Sequence, residues 1–218
     1  VSLNHSDSTI KKNANDMVSM MTPLIKSFFT DVGMEITNDA IQVFGGYGYT
    51  KDQGIEQLFR DNRITPIYEG TNSVQAIDLV YRKILNNKIF DNYIVQITKE
   101  IQEYDKNKDL TLFVVKFQKY IELLKNFTSW LSEKNENSKD DVSAACNDYL
   151  KVLGYIALAH SWLKILKVSH EKFETNKSFF EDKINTATYY FDKILPRAQS
   201  HYLSAVTGSK SMMRANFN

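Results

Sequence analysis

Apolar residues recur three and four positions apart through long segments of this sequence, at about 8–37, 91–104, 110–131, 142–169 and 183–207. That spacing places them on one face of an α-helix. The 218 residues include 8 glycines and 3 prolines, and an all-β fold usually needs more turn-forming residues. Short polar joints separate the segments, which favours antiparallel neighbours. We therefore predict an all-α protein built as an up-and-down helical bundle.

Proline and glycine mark the expected helix boundaries near the start of the chain. Pro23 is predicted to kink or break the first helix, because proline lacks a backbone N–H and clashes with the preceding turn. A separate helix over about 35–44 would then end at Gly45–Gly46. Further helices are expected over 55–62 and about 74–85.

Two polar stretches later in the chain are expected to lack a fixed helical structure. The stretch 133–141 is rich in Glu, Lys, Asn and Asp, which predicts a solvated, flexible loop. The tail 208–218 is expected to fray or to dock only weakly.

Charge and cysteine usage exclude several classes of protein. The 27 Lys and Arg residues nearly balance 26 Asp and Glu residues, for a net charge of +1, so no general attraction to nucleic acid is predicted. No run of about 18 apolar residues exists, so no membrane span is predicted. The single cysteine, Cys146, fits a reducing compartment, and we predict a cytoplasmic protein. The four histidines lack metal-ligand spacing, and no metal site is predicted.

Two segments carry residues that could do chemistry. Gln42 lies one turn before Gly45–Gly46, and glycines let a phosphate approach backbone N–H groups, although the pair could equally stop a helix. Glu69 follows Ile67 and Tyr68. Apolar surroundings disfavour the charged form of a carboxylate and so make it a better base near neutral pH. A solvated or ion-paired Glu69 is the alternative, and this local pattern alone favours it.

Three blocks of sequence, taken together, favour Glu69 as a base over a solvated or ion-paired Glu69. The blocks are Ala40–Tyr49, Leu58–Ile64 and Ile67–Asn72, followed by Gln75. In order and spacing they resemble the C-terminal signature of the acyl-CoA dehydrogenases. The form of the third block is most similar to a long bacterial subgroup, which includes the methylmercaptopropionyl-CoA dehydrogenases and carries an extra helical domain at its C-terminus.

The resemblance implies a fold and a reaction. Members have an N-terminal helical domain, a middle β-barrel and a C-terminal four-helix bundle, with FAD between barrel and bundle. They remove hydrogen from the α and β carbons of an acyl-CoA thioester and usually pass the electrons to electron-transfer flavoprotein. On this pattern, residues 1–88 form the C-terminal part of the flavin-binding bundle. Residues 89–218 form the helical extension domain.

The same resemblance implies roles for single residues. Glu69 matches the base that removes the α-proton, and Gly70 matches the backbone beside the thioester. Thr71, Asn72 and Ser73 match a turn that touches FAD. The loop that reaches the FAD of a neighbouring subunit matches Gln42, Val43, Phe44, Gly45 and Gly46. A homo-oligomer, dimer or tetramer, is therefore implied. Two positions depart from the pattern, since the family often has His in place of Phe44 and Gln in place of Ser73.

The N-terminal domain and the β-barrel have no counterpart in this sequence, which also starts without an initiator Met. We therefore expect a piece of a longer enzyme that alone binds FAD poorly and turns over no substrate. Two other functions remain open. One is a non-catalytic helical oligomerisation module derived from the same family, and the other is an acyl-CoA oxidase, which passes its electrons to oxygen.

Overall fold

The structure is a computed structural model that describes residues 2–86, 89–104 and 108–214. These ranges contain no β-strand, and the predicted all-α class is confirmed. None of their helices is long and apolar enough to cross a membrane. The α-helices are α1 (Ser8–Phe44), α2 (Gly46–Tyr49), α3 (Ile55–Asn62), α4 (Asn72–Ile77), α5 (Ile89–Tyr104), α6 (Thr111–Asn137), α7 (Lys139–Glu171), α8 (Lys177–Tyr189) and α9 (Arg197–Ala205).

The first helix runs unbroken through Pro23, so the expected break there and the separate helix over 35–44 are wrong. Asp7 caps its start, because the carboxylate accepts two backbone N–H groups at 2.7 and 3.2 Å. Pro23 is buried, and this packing offsets the backbone hydrogen bond that proline cannot make. The helix ends at Gly45, as the sequence predicts, where φ is 59°.

The polar stretch 133–141 is helical apart from Ser138, so the expected flexible loop is wrong. Ser138 is extended, and its N–H donates to the carbonyl oxygen of Lys134 at 2.7 Å. Its hydroxyl accepts the N–H of Asp141 at 3.4 Å, which caps the start of α7. One capped residue therefore reverses the chain between two long helices.

Two helices continue as π-helical turns. Asp78–Leu85 extends α4, so the helix expected over about 74–85 is present. Tyr190–Ile194 extends α8. The single helix expected over 183–207 is wrong, because Leu195 and Pro196 separate this turn from α9. Proline is favoured at the start of a helix, where its missing N–H costs nothing.

Helix α7 lies at the centre of the bundle. It packs against α6, α8 and α9, and also against α1 and α4 from the first part of the chain. Tyr149 of α7 is fully buried, as are Phe117 and Phe127 of α6. The buried Tyr149 hydroxyl lies 2.8 Å from Thr128 Oγ1, which satisfies its polar atom. The predicted division between residues 88 and 89 falls next to residues 87–88, which lie outside the described ranges.

One side of α1 is apolar and open. Seven large apolar side chains of α1 are each at least 41% exposed, and six of them form this side: Ile10, Val18, Ile25, Phe29, Ile36 and Val43. From Val18 onward they are spaced seven or four residues apart, which keeps them on one helix face. An exposed apolar stripe of this length marks an interaction surface.

The C-terminal segment docks on the start of α7. The N–H and hydroxyl of Ser209 donate to Asp141 Oδ1 at 2.8 and 2.7 Å. The predicted tail, 208–218, therefore docks through Ser209 near its start. Residues 215–218 lie outside the described part of the chain.

Candidate functional site

The turn that carries Glu69 has a strained backbone. Glu69 has a φ of 55°, and it alone has a positive φ among the described non-glycine residues. Gly70 follows with a φ of 81°. A non-glycine residue held in this left-handed region costs about 1–3 kcal/mol, and such strain persists only where the surroundings impose it. The N–H of Asn72 donates to the carbonyl oxygen of Pro66 at 3.2 Å and closes the turn around Glu69.

Side chains from two helices capture both carbonyl groups of this turn. Gln75 Nε2, in α4, donates to the carbonyl oxygen of Glu69 at 2.9 Å. Lys26 Nζ, in α1, donates to the carbonyl oxygen of Gly70 at 2.6 Å. Sequence reasoning did not identify Lys26. No signal in the sequence marks it, because the contact joins residues 44 positions apart.

Asn72 fastens the turn to α1. Its Oδ1 accepts Lys26 Nζ at 2.9 Å. Its Nδ2 donates to Asp31 Oδ1 at 2.6 Å and to the carbonyl oxygen of Ser27 at 3.2 Å. Thr30 Oγ1 lies 3.0 and 3.2 Å from the two amide atoms. The amide is therefore fully engaged within the chain, and its role here is to fix the turn.

The residues on either side of Asn72 begin α4. Thr71 Oγ1 accepts the N–H of Val74 at 3.4 Å and caps the helix. Ser73 Oγ accepts Asn147 Nδ2 at 3.2 Å, which ties this helix to α7. Thr71 and Ser73 are both exposed, so a bound molecule could reach them.

The carboxylate of Glu69 is exposed, and Ile67 and Tyr68 beside it are about half exposed as well. The apolar setting expected from sequence is therefore not provided by the described residues of this chain. The carboxylate has no hydrogen bond or ion pair among them. A fixed backbone thus carries a carboxylate that is hydrogen-bonded to none of the described residues.

The second predicted segment lies at the end of α1. Val43 is 84% exposed, and Gln42 and Phe44 are exposed as well. A Cβ added at Gly45 or Gly46 would meet no atom within 4 Å. The two glycines therefore leave room for a ligand to approach the backbone, and Gly45 also ends the helix.

The two predicted segments do not meet within one chain. The Glu69 turn is fastened to α1 between Lys26 and Asp31. Gln42 is eleven residues beyond Asp31, which is about 17 Å along a helix that rises 1.5 Å per residue. One molecule that contacts both segments would need either to span that distance or to lie between two copies of the chain.

Other reactive groups do not form a site in the described part of the protein. No group of three or more His, Cys, Asp or Glu residues is placed there to hold a metal ion. The Cys146 thiol is buried, and burial raises its pKa to about 12. It is therefore protonated and inert near neutral pH.

Comparison with known proteins identifies the class. A family model described as "Acetyl-CoA dehydrogenase C-terminal like" matches residues 94–216, more than half of the chain. A second, described as "Acyl-CoA dehydrogenase, C-terminal domain", matches residues 6–85. The helical fold and these matches define the C-terminal helical part of a dehydrogenase. The chain belongs to the acyl-CoA dehydrogenase family, as its sequence motifs predict.

Individual relatives agree with this assignment. The 3-methylmercaptopropionyl-CoA dehydrogenase of Ruegeria pomeroyi is 39% identical over 83 residues, which cover 38% of this chain and 14% of that protein. The cyclohexane-1-carbonyl-CoA dehydrogenase of Geobacter metallireducens is 52% identical over 60 residues, 28% of this chain and 16% of that protein. The chain therefore spans only a small part of these relatives.

A solved structure shows the same fold. The acyl-CoA dehydrogenase of Bacillus anthracis, complexed with FAD, superposes with a TM-score of 0.68 at 16% identity. The match covers 96% of this chain and 38% of that one.

Proposed function

We propose that this chain is the base-carrying C-terminal part of an FAD-dependent acyl-CoA dehydrogenase, with Glu69 removing the α-proton of an acyl-CoA thioester. The proposal rests on a contrast at Glu69. Its backbone is strained and hydrogen-bonded by two side chains, whereas no described residue pairs with its carboxylate. Strain of this kind gathers at functional sites, and a general base must be free to reach its proton.

The other residues of the turn fit supporting roles. Gly70 would lie beside the thioester, where the N–H of Glu69 can stabilise negative charge on the thioester oxygen. Thr71 and Ser73 offer exposed hydroxyls to FAD. Asn72 contributes by holding both in place, since its amide is hydrogen-bonded to α1. When bound, FAD supplies the acceptor for the hydride that leaves the β-carbon.

Separation of the two segments supports a homo-oligomer, dimer or tetramer. Gln42, Val43, Phe44, Gly45 and Gly46 would contact the FAD of a neighbouring subunit, because they lie too far along α1 to share a compact site with Glu69 of their own chain. The exposed apolar stripe on α1 is available for such packing. The same proposal assigns residues 1–88 to the flavin-binding bundle and 89–218 to a helical extension, in a cytoplasmic enzyme that reduces electron-transfer flavoprotein.

The test compares two glutamate variants in the complete enzyme, expressed from the whole reading frame that encodes this chain. Glu69→Gln removes the base, whereas Glu133→Gln alters an exposed glutamate of α6. Loss of a general base typically costs about 10²–10⁴ in rate. We expect that loss for Glu69→Gln with acyl-CoA affinity retained, and an unchanged rate for Glu133→Gln.

Three results would change the proposal. A Glu69→Gln enzyme that keeps the wild-type rate would remove Glu69 as the base. A complete protein that binds neither FAD nor acyl-CoA would favour the oligomerisation module. Peroxide formed in proportion to the acyl-CoA consumed would identify an oxidase.

A further inference from the structure

We infer that Lys26 is a positioning residue for Glu69, acting through the backbone of the turn. The inference rests on the proposed role of Glu69 as the base. Lys26 lies forty-three residues before Glu69 in the sequence and on a different helix. Its ammonium group reaches the carbonyl oxygen of Gly70, the residue that immediately follows the proposed base.

The contacts of Lys26 are directed at the strained element. The ammonium group bridges the carbonyl oxygen of Gly70 at 2.6 Å and Asn72 Oδ1 at 2.9 Å. Asn72 in turn donates to Asp31 Oδ1 at 2.6 Å. Hydrogen bonds that involve a charged group are shorter and stronger than neutral ones. Lysine, amide and carboxylate therefore form one chain of bonds between α1 and the turn.

The geometry explains what these bonds do. For Glu69 and Gly70 to leave their left-handed conformations, the two peptides that follow Glu69 must rotate. Gln75 holds the carbonyl group of the first of these peptides, that of Glu69 itself. Lys26 holds the next carbonyl group, that of Gly70. Together the two side chains block rotation, and they fix the direction in which the exposed carboxylate leaves the backbone.

The flexibility of Gly70 is the reason that the turn needs these two side-chain hydrogen bonds. Its φ of 81° suits glycine, and a residue without a Cβ offers little resistance to rotation of its own. A Cβ at this position would lie 3.1 Å from Gln75 Nε2, so a bulkier residue would crowd the other member of the pair. The rigidity that a base needs is therefore supplied from outside the turn, by Lys26 and Gln75.

The experiment is a double-mutant cycle in the complete enzyme. Lys26→Met removes the ammonium group and keeps an unbranched side chain that is one atom shorter. A misplacement of about 1 Å at a reacting group can cost about 10² in rate. We expect kcat to fall by about 10- to 100-fold while the KM for acyl-CoA changes little. The control is Lys12→Met, which alters an exposed lysine of the same helix.

The cycle separates positioning from general stability. If Lys26 acts through Glu69, adding Lys26→Met to Glu69→Gln causes no further loss of rate. An equal loss in both backgrounds would show a merely structural role and would overturn the inference, as would an unchanged kcat for Lys26→Met. Wild-type activity of Glu69→Gln would instead refute the proposed function, and with it the role of Lys26.

A second measurement guards against a variant that fails to fold. Lys26→Arg keeps a cation with N–H donors at this position and is expected to retain more kcat than Lys26→Met. In the 218-residue chain, the N–H of Asn72 donates to the carbonyl oxygen of Pro66, and its hydrogen exchange is expected to quicken in Lys26→Met but not in Lys12→Met. Unchanged exchange of this amide in Lys26→Met would contradict the inference without any catalytic assay.

Discussion

The ring of Phe28 in α1 packs directly over the backbone of Gly154 in α7. A Cβ added at Gly154 would lie 2.5 Å from Cγ of the ring and 2.7 Å from Cε2. The ring also meets Tyr155 edge-on, with centroids 5.1 Å apart. This contact joins the segments matched by the two family models, so the two parts of the chain form one continuous core.

Gly154→Ala tests that contact. Overpacking of a dense core costs about 1–3 kcal/mol, and so close a contact lies toward the upper end of that range, whereas alanine favours a helix over glycine by roughly 1 kcal/mol. We therefore expect the free energy of unfolding to fall by about 1–2 kcal/mol in urea titration. The control is Gly46→Ala, which meets open space. Equal stability of Gly154→Ala and the wild type would show that the helices are less closely packed than described.

The docking of Ser209 on Asp141 predicts a pH dependence. The N–H of Ser209, and then its hydroxyl, hold the pKa of Asp141 below its usual value. A depressed carboxyl pKa stabilises the folded protein above the unfolded value of about 3.9, and that stability is lost as the pH falls through the folded value. The stability difference between wild type and Asp141→Asn should therefore be larger at neutral pH than near pH 3, as measured by urea unfolding.

The matched control for this prediction is Asp140→Asn, which alters an exposed neighbour in the same helical turn. It should change the pH profile much less. A constant difference between wild type and Asp141→Asn across this pH range would contradict the assigned hydrogen bonds.

His160 is expected to have a pKa below the usual value for histidine, so that it stays neutral to lower pH. Burial, and then the nearby charge of Lys164, lower its pKa, while a hydrogen bond to Glu100 at 2.8 Å opposes the shift. A histidine with a lowered pKa adds stability that is complete above about 6.5 and is lost as the pH falls through the folded value. NMR titration should place the midpoint below 6.5, and Lys164→Met should raise it. A midpoint above 6.5 would show that Glu100 dominates.

The 218-residue chain alone should neither retain FAD nor oxidise acyl-CoA. Its apolar stripe on α1 is uncovered and the carboxylate of Glu69 is open to water, so no dry site is assembled around the proposed base. We expect a colourless purified protein with no dye reduction. A yellow protein that reduces a dye on addition of acyl-CoA would overturn this expectation.

Helical periodicity predicted the overall class and the long helices, because burial against α7 enforces a repeat that the sequence displays. It failed where tertiary packing outweighed local preference. Pro23 does not break α1, since its ring is buried and helix continues on both sides. The polar stretch before Asp141 is helical, because one capped serine suffices to reverse the chain.

The candidate site also combines a residue that the sequence predicts with one that only tertiary contacts reveal. Glu69 could be singled out because three sequence blocks in order carry a family signature, although no local rule demanded it. Lys26 could not, because its role depends on a contact between residues 44 positions apart. The predicted apolar surroundings of Glu69 are missing from the part of the chain that the structure describes. In the proposed enzyme they must come from substrate, cofactor and the remaining domains.

Proton transfer by Glu69 can be measured apart from oxidation. An acyl-CoA whose β-carbon carries no hydrogen, such as tert-butylacetyl-CoA, cannot be dehydrogenated but still offers its α-protons. The complete enzyme, incubated with it in deuterium oxide, should place deuterium at the α-carbon, as read by mass spectrometry. Glu69→Gln should slow this exchange by about 10²–10⁴, whereas Glu133→Gln should not. Exchange at the wild-type rate in Glu69→Gln would contradict the assignment of Glu69 as the base.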